Sequence, residues 1–103
     1  MYKIECYIPK THVEVVKEAI FKAGAGQLGE YRSCAWQVMG QGQFEPQKNS
    51  KPFIGSHGKL ETIEEYKVEV ICLPENLEAI MIALKAAHPY ETPAYFVTEG
   101  IDI

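Results

Sequence analysis

Residues 63–73 have the sequence IEEYKVEVICL, in which apolar and polar side chains alternate from Tyr66 to Val70. A period of two residues predicts a β-strand with one buried face. The same alternation occurs at residues 2–8, YKIECYI, and Pro9 ends that segment. We therefore expect two half-buried strands that share one sheet.

Each of these strands is followed by apolar residues at helical spacing, which predict two amphipathic helices. A capping box of Thr11 and Glu14 is expected to open the first helix. Gly24 is expected to end it in the left-handed conformation that a residue without Cβ adopts easily. Pro74 suits the first turn of the second helix, which is expected to end near His88.

The remaining strands have weaker signals. Residues 31–39 and 94–98 carry enough alternating apolar side chains to predict two more strands, whereas glycines and prolines at residues 40–58 predict a long loop. The order β-α-β-β-α-β predicts an α+β fold of ferredoxin-like topology, with residues 1–103 as a single domain. Its sheet is expected to be four-stranded and mainly antiparallel, with both helices on one face.

The two faces of the predicted sheet should differ in what covers them. The face under the helices is expected to carry Ile4, Cys6, Ile8, Val68 and Val70. The other face is expected to carry Tyr7, Ala35, Met39, Ile71 and either Tyr95 or Val97. So many apolar side chains favour packing against other copies of the chain, and we expect a homo-oligomer, specifically a trimer. The alternative is an ordinary half-exposed face in contact with water.

Composition argues against several classes of partner. The chain has a formal net charge of -4, and its Lys and Arg residues are scattered, so we expect no nucleic-acid partner. No apolar run approaches the roughly 18 residues that a membrane span requires. The three cysteines, Cys6, Cys34 and Cys72, show no spacing that would indicate a disulfide framework. We therefore expect a protein of the reducing cytoplasm.

Two short motifs could carry chemistry. Residues 24–29, GAGQLG, match GxGxxG, but they follow a helix instead of a strand and so indicate a turn, not a dinucleotide site. Residues 88–91, HPYE, bring an imidazole, a phenol and a carboxylate together within four residues. This turn is either part of a ligand site or a structural cap at the end of the second helix.

The sequence signals for a metal site or a catalytic site are weaker than those of the two short motifs. A third set, which could ligate a metal only if the long loop folds back, is Cys34, His57, Glu61, Glu64 and Glu65. Their spacing matches no metal-binding pattern, and a solvated acidic stretch explains the glutamates better. The sequence contains no nucleophile elbow, HExxH, P-loop or CxxC motif. We therefore predict neither an enzyme nor a cofactor.

A longer pattern of glycines, prolines, aromatic and acidic residues runs along nearly the whole chain. It consists of Gly24-Ala25-Gly26, Gly29, Tyr31, Cys34, Gly40-Gln41-Gly42-Gln43-Phe44, Pro46, Pro52, Gly55, Glu65, Val68, Glu69, His88-Pro89-Tyr90-Glu91 and Pro93-Ala94-Tyr95. In this pattern the chain resembles the inserted domain of the Nif-three-like family, the proteins related to the NGG-one-interacting factor three.

The resemblance implies a fold like that of the CutA divalent-cation-tolerance proteins and the PII signalling proteins, both of which are ferredoxin-like trimers. In longer family members, named as GTP cyclohydrolases of the second type, the domain lies between two lobes that bind a pair of metal ions. This chain matches the insert alone, so we expect a stand-alone domain without the di-metal site or the hydrolase activity.

The expected function is a small ligand- or partner-binding regulatory module. As in PII proteins, residues 40–58 would meet a small molecule or protein partner beside a group of polar residues. The candidates are Tyr31, Glu65, His88, Tyr90 and Glu91. One alternative is divalent metal binding as in CutA-like proteins, with His88, Glu91 and Cys34 as candidate ligands. Another alternative is a structural oligomerisation domain.

Overall fold

The computed structural model of residues 1–103 contains a four-stranded sheet and two α-helices. In chain order the elements are β1 (Tyr2–Pro9), α1 (Val13–Lys22), β2 (Trp36–Phe44), β3 (Glu61–Cys72), a 3-10 helical turn (Pro74–Asn76), α2 (Leu77–Ala87) and β4 (Tyr95–Glu99). The strand order is β2-β3-β1-β4, and every neighbouring pair is antiparallel. This confirms the ferredoxin-like α+β fold, with a sheet that is antiparallel throughout.

Alternation along β1 and β3 places their apolar side chains on one face of the sheet. Ile4 lies opposite Val70 and Cys6 lies opposite Val68, so these four side chains share a face. Both helices cover this face, as predicted, and complete the buried core with Val13, Val16, Ile20, Ile80 and Leu84. Neither α1 nor α2 combines the length and the apolar character that a bilayer-crossing helix would need.

The C-terminal end of α1 is the one that the sequence predicts. The amide of Gly24 donates to the Phe21 carbonyl, and the amide of Ala25 donates to the Ile20 carbonyl, both at 3.0 Å. Gly24 has a φ of +112°. Together these features form a Schellman motif, which confirms the predicted glycine cap.

The N-terminal end of α1 differs from the prediction. The Thr11 hydroxyl bonds to Nδ1 of His12 at 2.8 Å, and no side chain caps the helix. The predicted capping box of Thr11 and Glu14 is wrong because α1 begins at Val13, which leaves His12 and not Thr11 at the capping position.

The strand β2 starts and ends later than the predicted residues 31–39, so the predicted loop at residues 40–58 is shortened to residues 45–60. Gly40 and Gly42 lie within the strand, because the ladder with β3 continues through both positions. Pairing with a long neighbouring strand outweighs the weak strand propensity of glycine here.

The face of the sheet away from the helices, called the open face below, differs in part from the prediction. Cross-strand partners in β1 and β3 place Met39, Tyr95 and Val97 on the helix side. The predictions for Met39 and for Tyr95 or Val97 are therefore wrong, because register against the neighbouring strand decides which face a side chain occupies. Tyr7 and Ile71 do lie on the open face.

The open face carries both charged and apolar side chains. Its charged residues form ion pairs with N–O distances between 3.0 and 4.0 Å, and they are Lys3, Glu5, Lys67 and Glu69. Its exposed apolar residues lie on the two edge strands, and they are Trp36, Val38 and Phe96. The face is thus polar at its centre and apolar at its edges.

Candidate functional site

A cleft lies where the loop at residues 45–60 folds back toward the turn at residues 88–94. It has a volume of about 680 Å³. Side chains from the end of β2, from β3, from the loop and from the turn line it. Volumes of this size are typical of small-molecule sites.

His88, the residue that follows α2, positions one wall of this cleft. Its Nε2 donates to the Tyr7 carbonyl at 2.7 Å, and its Nδ1 accepts from the Tyr90 amide at 3.1 Å. These partners fix the neutral tautomer with the proton on Nε2, because a backbone carbonyl can only accept and an amide can only donate. Burial lowers the pKa of His88, which also favours the neutral ring.

Tyr90 connects the turn to the sheet. Its hydroxyl donates to Oε2 of Glu65 on β3 at 2.6 Å. Burial and the Glu65 carboxylate raise the pKa of Tyr90, so the phenol stays protonated. Gly42 on β2 makes room for this contact, because a Cβ atom at that position would overlap the Glu65 carboxylate.

The loop at residues 45–60 forms the second wall. The backbone amide of Lys51 donates to Oε2 of Glu91 at 2.9 Å, which joins the loop to the turn. The Phe53 ring packs edge-on against His12, with ring centroids 5.2 Å apart, and lies 6.5 Å from the Tyr90 ring. These contacts hold the loop close to the Tyr90 ring of the turn.

Four of the five predicted site residues come together here. Glu65, Tyr90 and Glu91 line the cleft, and His88 supports it from behind. Tyr31 does not join them: it lies in the connection between α1 and β2, bridges to Leu28 and is 73% exposed. Tyr31 is therefore not among the residues that line the cleft. The tertiary fold, and not the local sequence, decides which end of the sheet this connection reaches.

The three candidate metal ligands are also not assembled. Cys34 binds through its amide to Gly26, whose own amide donates to the Ile71 carbonyl. Ile71 lies opposite Lys3, four residues along β1 from Tyr7, or about 13 Å at the usual strand rise. Cys34 thus lies toward the opposite end of the sheet from His88 and Glu91. No group of three or more His, Cys, Asp or Glu side chains is arranged to hold a metal ion.

The glycine motif at residues 24–29 is a turn, as predicted. Gly24, Gly26 and Gly29 have φ values of +112°, +76° and +55°, and the motif leads from α1 toward β2. A Cβ atom at Gly26 would lie 2.7 Å from the Cys34 carbonyl oxygen. Gly26 therefore serves close packing of the connection, and all three glycines serve its left-handed backbone conformation.

Four cleft residues lie in the segment 40–58 that the sequence assigns to ligand contact, but the sequence singles out none of them individually. Phe44 and Phe53 contribute aromatic rings, and Gln41 and Gln43 contribute amides. The available signal was the presence of two phenylalanines within a segment otherwise rich in glycine, proline and glutamine.

No protein-family model matches this chain. The chain is similar to part of the proteins named GTP cyclohydrolase 1 type 2 homolog. It is 45% identical over 89 residues to the protein of that name from Mycobacterium leprae, covering 86% of this chain and 23% of that protein. It is 41% identical over 95 residues to the Halalkalibacterium halodurans protein, covering 92% and 26% respectively. The chain spans about a quarter of the length of these curated relatives.

The chain is also similar to solved structures of NIF3-related and CutA proteins. A Bacillus cereus protein related to NIF3 superposes with a TM-score of 0.79 at 36% identity, covering 93% of this chain and 24% of that one. CutA1 from Pyrococcus horikoshii superposes with a TM-score of 0.69 at 19% identity, covering 100% of this chain and 86% of that one. The first agrees with the resemblance found in the sequence, and the second shows a shared fold.

Proposed function

We propose that the chain is a small binding module whose ligand or partner occupies the cleft between residues 45–60 and residues 88–94. One observation carries this proposal: the loop and the turn, far apart in sequence, converge on one cleft of about 680 Å³ with aromatic and polar walls. Glu65, Tyr90 and Glu91 would contact the ligand, and His88 would position the turn. Loops held in this way by a rigid sheet often carry binding residues.

The proposed role is binding and not catalysis. Both ring nitrogens of His88 are engaged by backbone groups of Tyr7 and Tyr90, so the ring has no free nitrogen to act as a base or to ligate a metal. This supports a binding module over the metal-binding alternative. For the proteins named GTP cyclohydrolase 1 type 2 homolog, we propose that the matching quarter is a binding part.

A titration of isotope-labelled protein with a panel of cationic, neutral and anionic small molecules tests the cleft. We expect amide resonances of residues 41–54 and 88–94 to shift with at least one compound. Phe53→Ala should weaken that binding several-fold, because the Phe53 ring forms part of the wall. Leu60→Ala, a substitution of an exposed residue outside the cleft, is the matched control. A panel that shifts no cleft resonance would remove the proposal.

The second candidate function is self-association, which the exposed Trp36, Val38 and Phe96 on the edges of the open face support. We propose a cytoplasmic homo-trimer, a compartment in keeping with three free thiols. Light scattering should give three times the 11.6 kDa mass of one chain. Trp36→Glu should lower that mass, whereas Ile82→Glu, on the exposed side of α2, should not. A single-chain mass at micromolar concentration would contradict self-association.

A further inference from the structure

All the charged side chains that line the cleft are negative. Three carboxylates line it, from Glu45, Glu65 and Glu91, and no Lys, Arg or His side chain is among its lining residues. The ion pairs of the molecule lie elsewhere and use Lys3, Lys17 and Lys67. No ion pair of the protein therefore involves a carboxylate of the cleft.

Glu65 is the most informative of these acids because it is part-buried. Its Oε2 accepts the Tyr90 hydroxyl, a neutral donor, and no hydrogen bond reaches its Oε1, which lies over Gly42. A charge that is withdrawn from water costs free energy unless an opposite charge or hydrogen bonds offset it. A positively charged ligand would supply that missing partner.

The walls of the cleft suit a cation with an apolar body. Phe44 and Phe53 flank Tyr90, with ring centroids 6.1 Å and 6.5 Å from the Tyr90 ring. Aromatic faces attract cations within roughly 6 Å of the ring centre, most strongly where water is excluded. The side-chain amides of Gln41 and Gln43 add oxygen acceptors for N–H groups.

From this arrangement we infer that the cleft binds a small organic cation, in which an amidinium, guanidinium or ammonium group is attached to a flat apolar body. The inference rests on the proposed function, since it assigns the ligand class of the same cleft. A nucleotide is the opposite case: its phosphates would meet three carboxylates and no Lys or Arg side chain.

Three probes of one shape and different charge test the inference: benzamidinium, benzamide and benzoate, with ATP as a phosphate-bearing probe. We expect benzamidinium to bind at least tenfold more tightly than benzamide, and benzoate and ATP to leave the cleft resonances unmoved. Added salt should weaken benzamidinium binding, because charge attraction is screened.

One substitution and a matched control test whether the Glu65 carboxylate is responsible for the binding of benzamidinium. Glu65→Gln keeps an acceptor for the Tyr90 hydroxyl but removes the charge, and we expect about a tenfold loss of benzamidinium affinity. Glu78→Gln, an exposed acid on α2 outside the cleft, should leave the affinity unchanged.

Equal binding of benzamidinium and benzamide, or a preference for benzoate or ATP, would overturn the cation inference and leave the cleft as a binding site. Unchanged benzamidinium affinity in Glu65→Gln would also overturn the assignment to Glu65. If none of these probes and no member of the wider panel shifts the cleft resonances, the proposed function fails as well.

Discussion

Lowering the pH from about 7 to about 5 should destabilise this chain through the side chain of His88. The ordinary pKa of histidine is 6.5, and burial lowers the pKa of His88 below it. The folded state therefore binds a proton at this site less readily than the unfolded state does. It follows that the stability supplied by the neutral ring is fully present above pH 6.5 and is lost as the pH falls from there through the lowered folded-state pKa.

The size of this effect follows from the surroundings of the ring. His88 is 5% exposed, and its Nδ1 accepts from the Tyr90 amide. A proton on Nδ1 would turn that acceptor into a second donor and would place a charge in a buried position. Between the two pKa values only the unfolded chain takes up the proton, so the free energy of unfolding should fall by at most about 1.4 kcal/mol per pH unit.

Urea unfolding followed by circular dichroism at several pH values between about 7 and 5 measures this slope. His88→Gln retains an N–H group for the Tyr7 carbonyl, and His88→Asn retains an acceptor for the Tyr90 amide. Each should cost about 1–2 kcal/mol at neutral pH and should flatten the pH dependence, since neither side chain titrates. His57→Gln, in the exposed loop, should keep the wild-type slope. Parallel wild-type and His88→Gln curves would refute the reasoning.

Two further predictions concern the fold. Gly42→Ala should displace the Glu65 carboxylate and cost about 1–2 kcal/mol, whereas Gly40→Ala, whose Cβ would lie 3.9 Å from its nearest neighbour, should not destabilise. Urea unfolding distinguishes the two variants. Equal decreases in their free energies of unfolding would show that the contact between Gly42 and Glu65 is unimportant. Leu84→Ala, at a position with 0% exposure, should cost about 2–5 kcal/mol, and Ile82→Ala, at 64% exposure on the same helix, about 0.5 kcal/mol or less. Thermal unfolding compares the stability of these two variants. Similar melting temperatures would contradict the placement of Leu84 in the buried core and of Ile82 on the surface.

The elements that the sequence predicts well are those whose signal is local. β1, β3 and both helices follow from periodicity within one segment, and the cap at Gly24 follows from the conformational freedom of glycine. The prediction fails in β2, where pairing with a neighbouring strand determines which residues are extended and which face of the sheet each side chain occupies. The predicted face of Met39 is wrong because its orientation depends on the register of β2 against β3. The predicted loop at Gly40 is wrong because the strand conformation of this residue depends on the same pairing.

The candidate site likewise has one part with a local sequence signal and one part that depends on contacts between distant residues. The turn at residues 88–91 could be identified because an imidazole, a phenol and a carboxylate lie close together in sequence. The opposite wall is expected only as a whole loop, residues 40–58, through the family resemblance. Its individual contacts have no local signal, since the bond between the Lys51 amide and Glu91 joins residues 40 positions apart. Tyr31 belongs to the family pattern and to the predicted group of polar residues, but the fold places it in the connection between α1 and β2.

The two walls of the cleft differ in how firmly they are attached, and this difference bears on how a ligand would enter. Tyr90 is held to β3 through Glu65, and its neighbour His88 is held to the Tyr7 carbonyl on β1. The opposite loop is joined to the turn by the hydrogen bond from the Lys51 amide to the Glu91 carboxylate and by the contact between the Phe53 and Tyr90 rings. The Phe53 ring also packs against His12, which precedes α1. Opening would therefore occur by movement of the loop, while the turn keeps its place on the sheet. A ligand that bridges both walls would bind the closed form preferentially and would stabilise the loop by mass action.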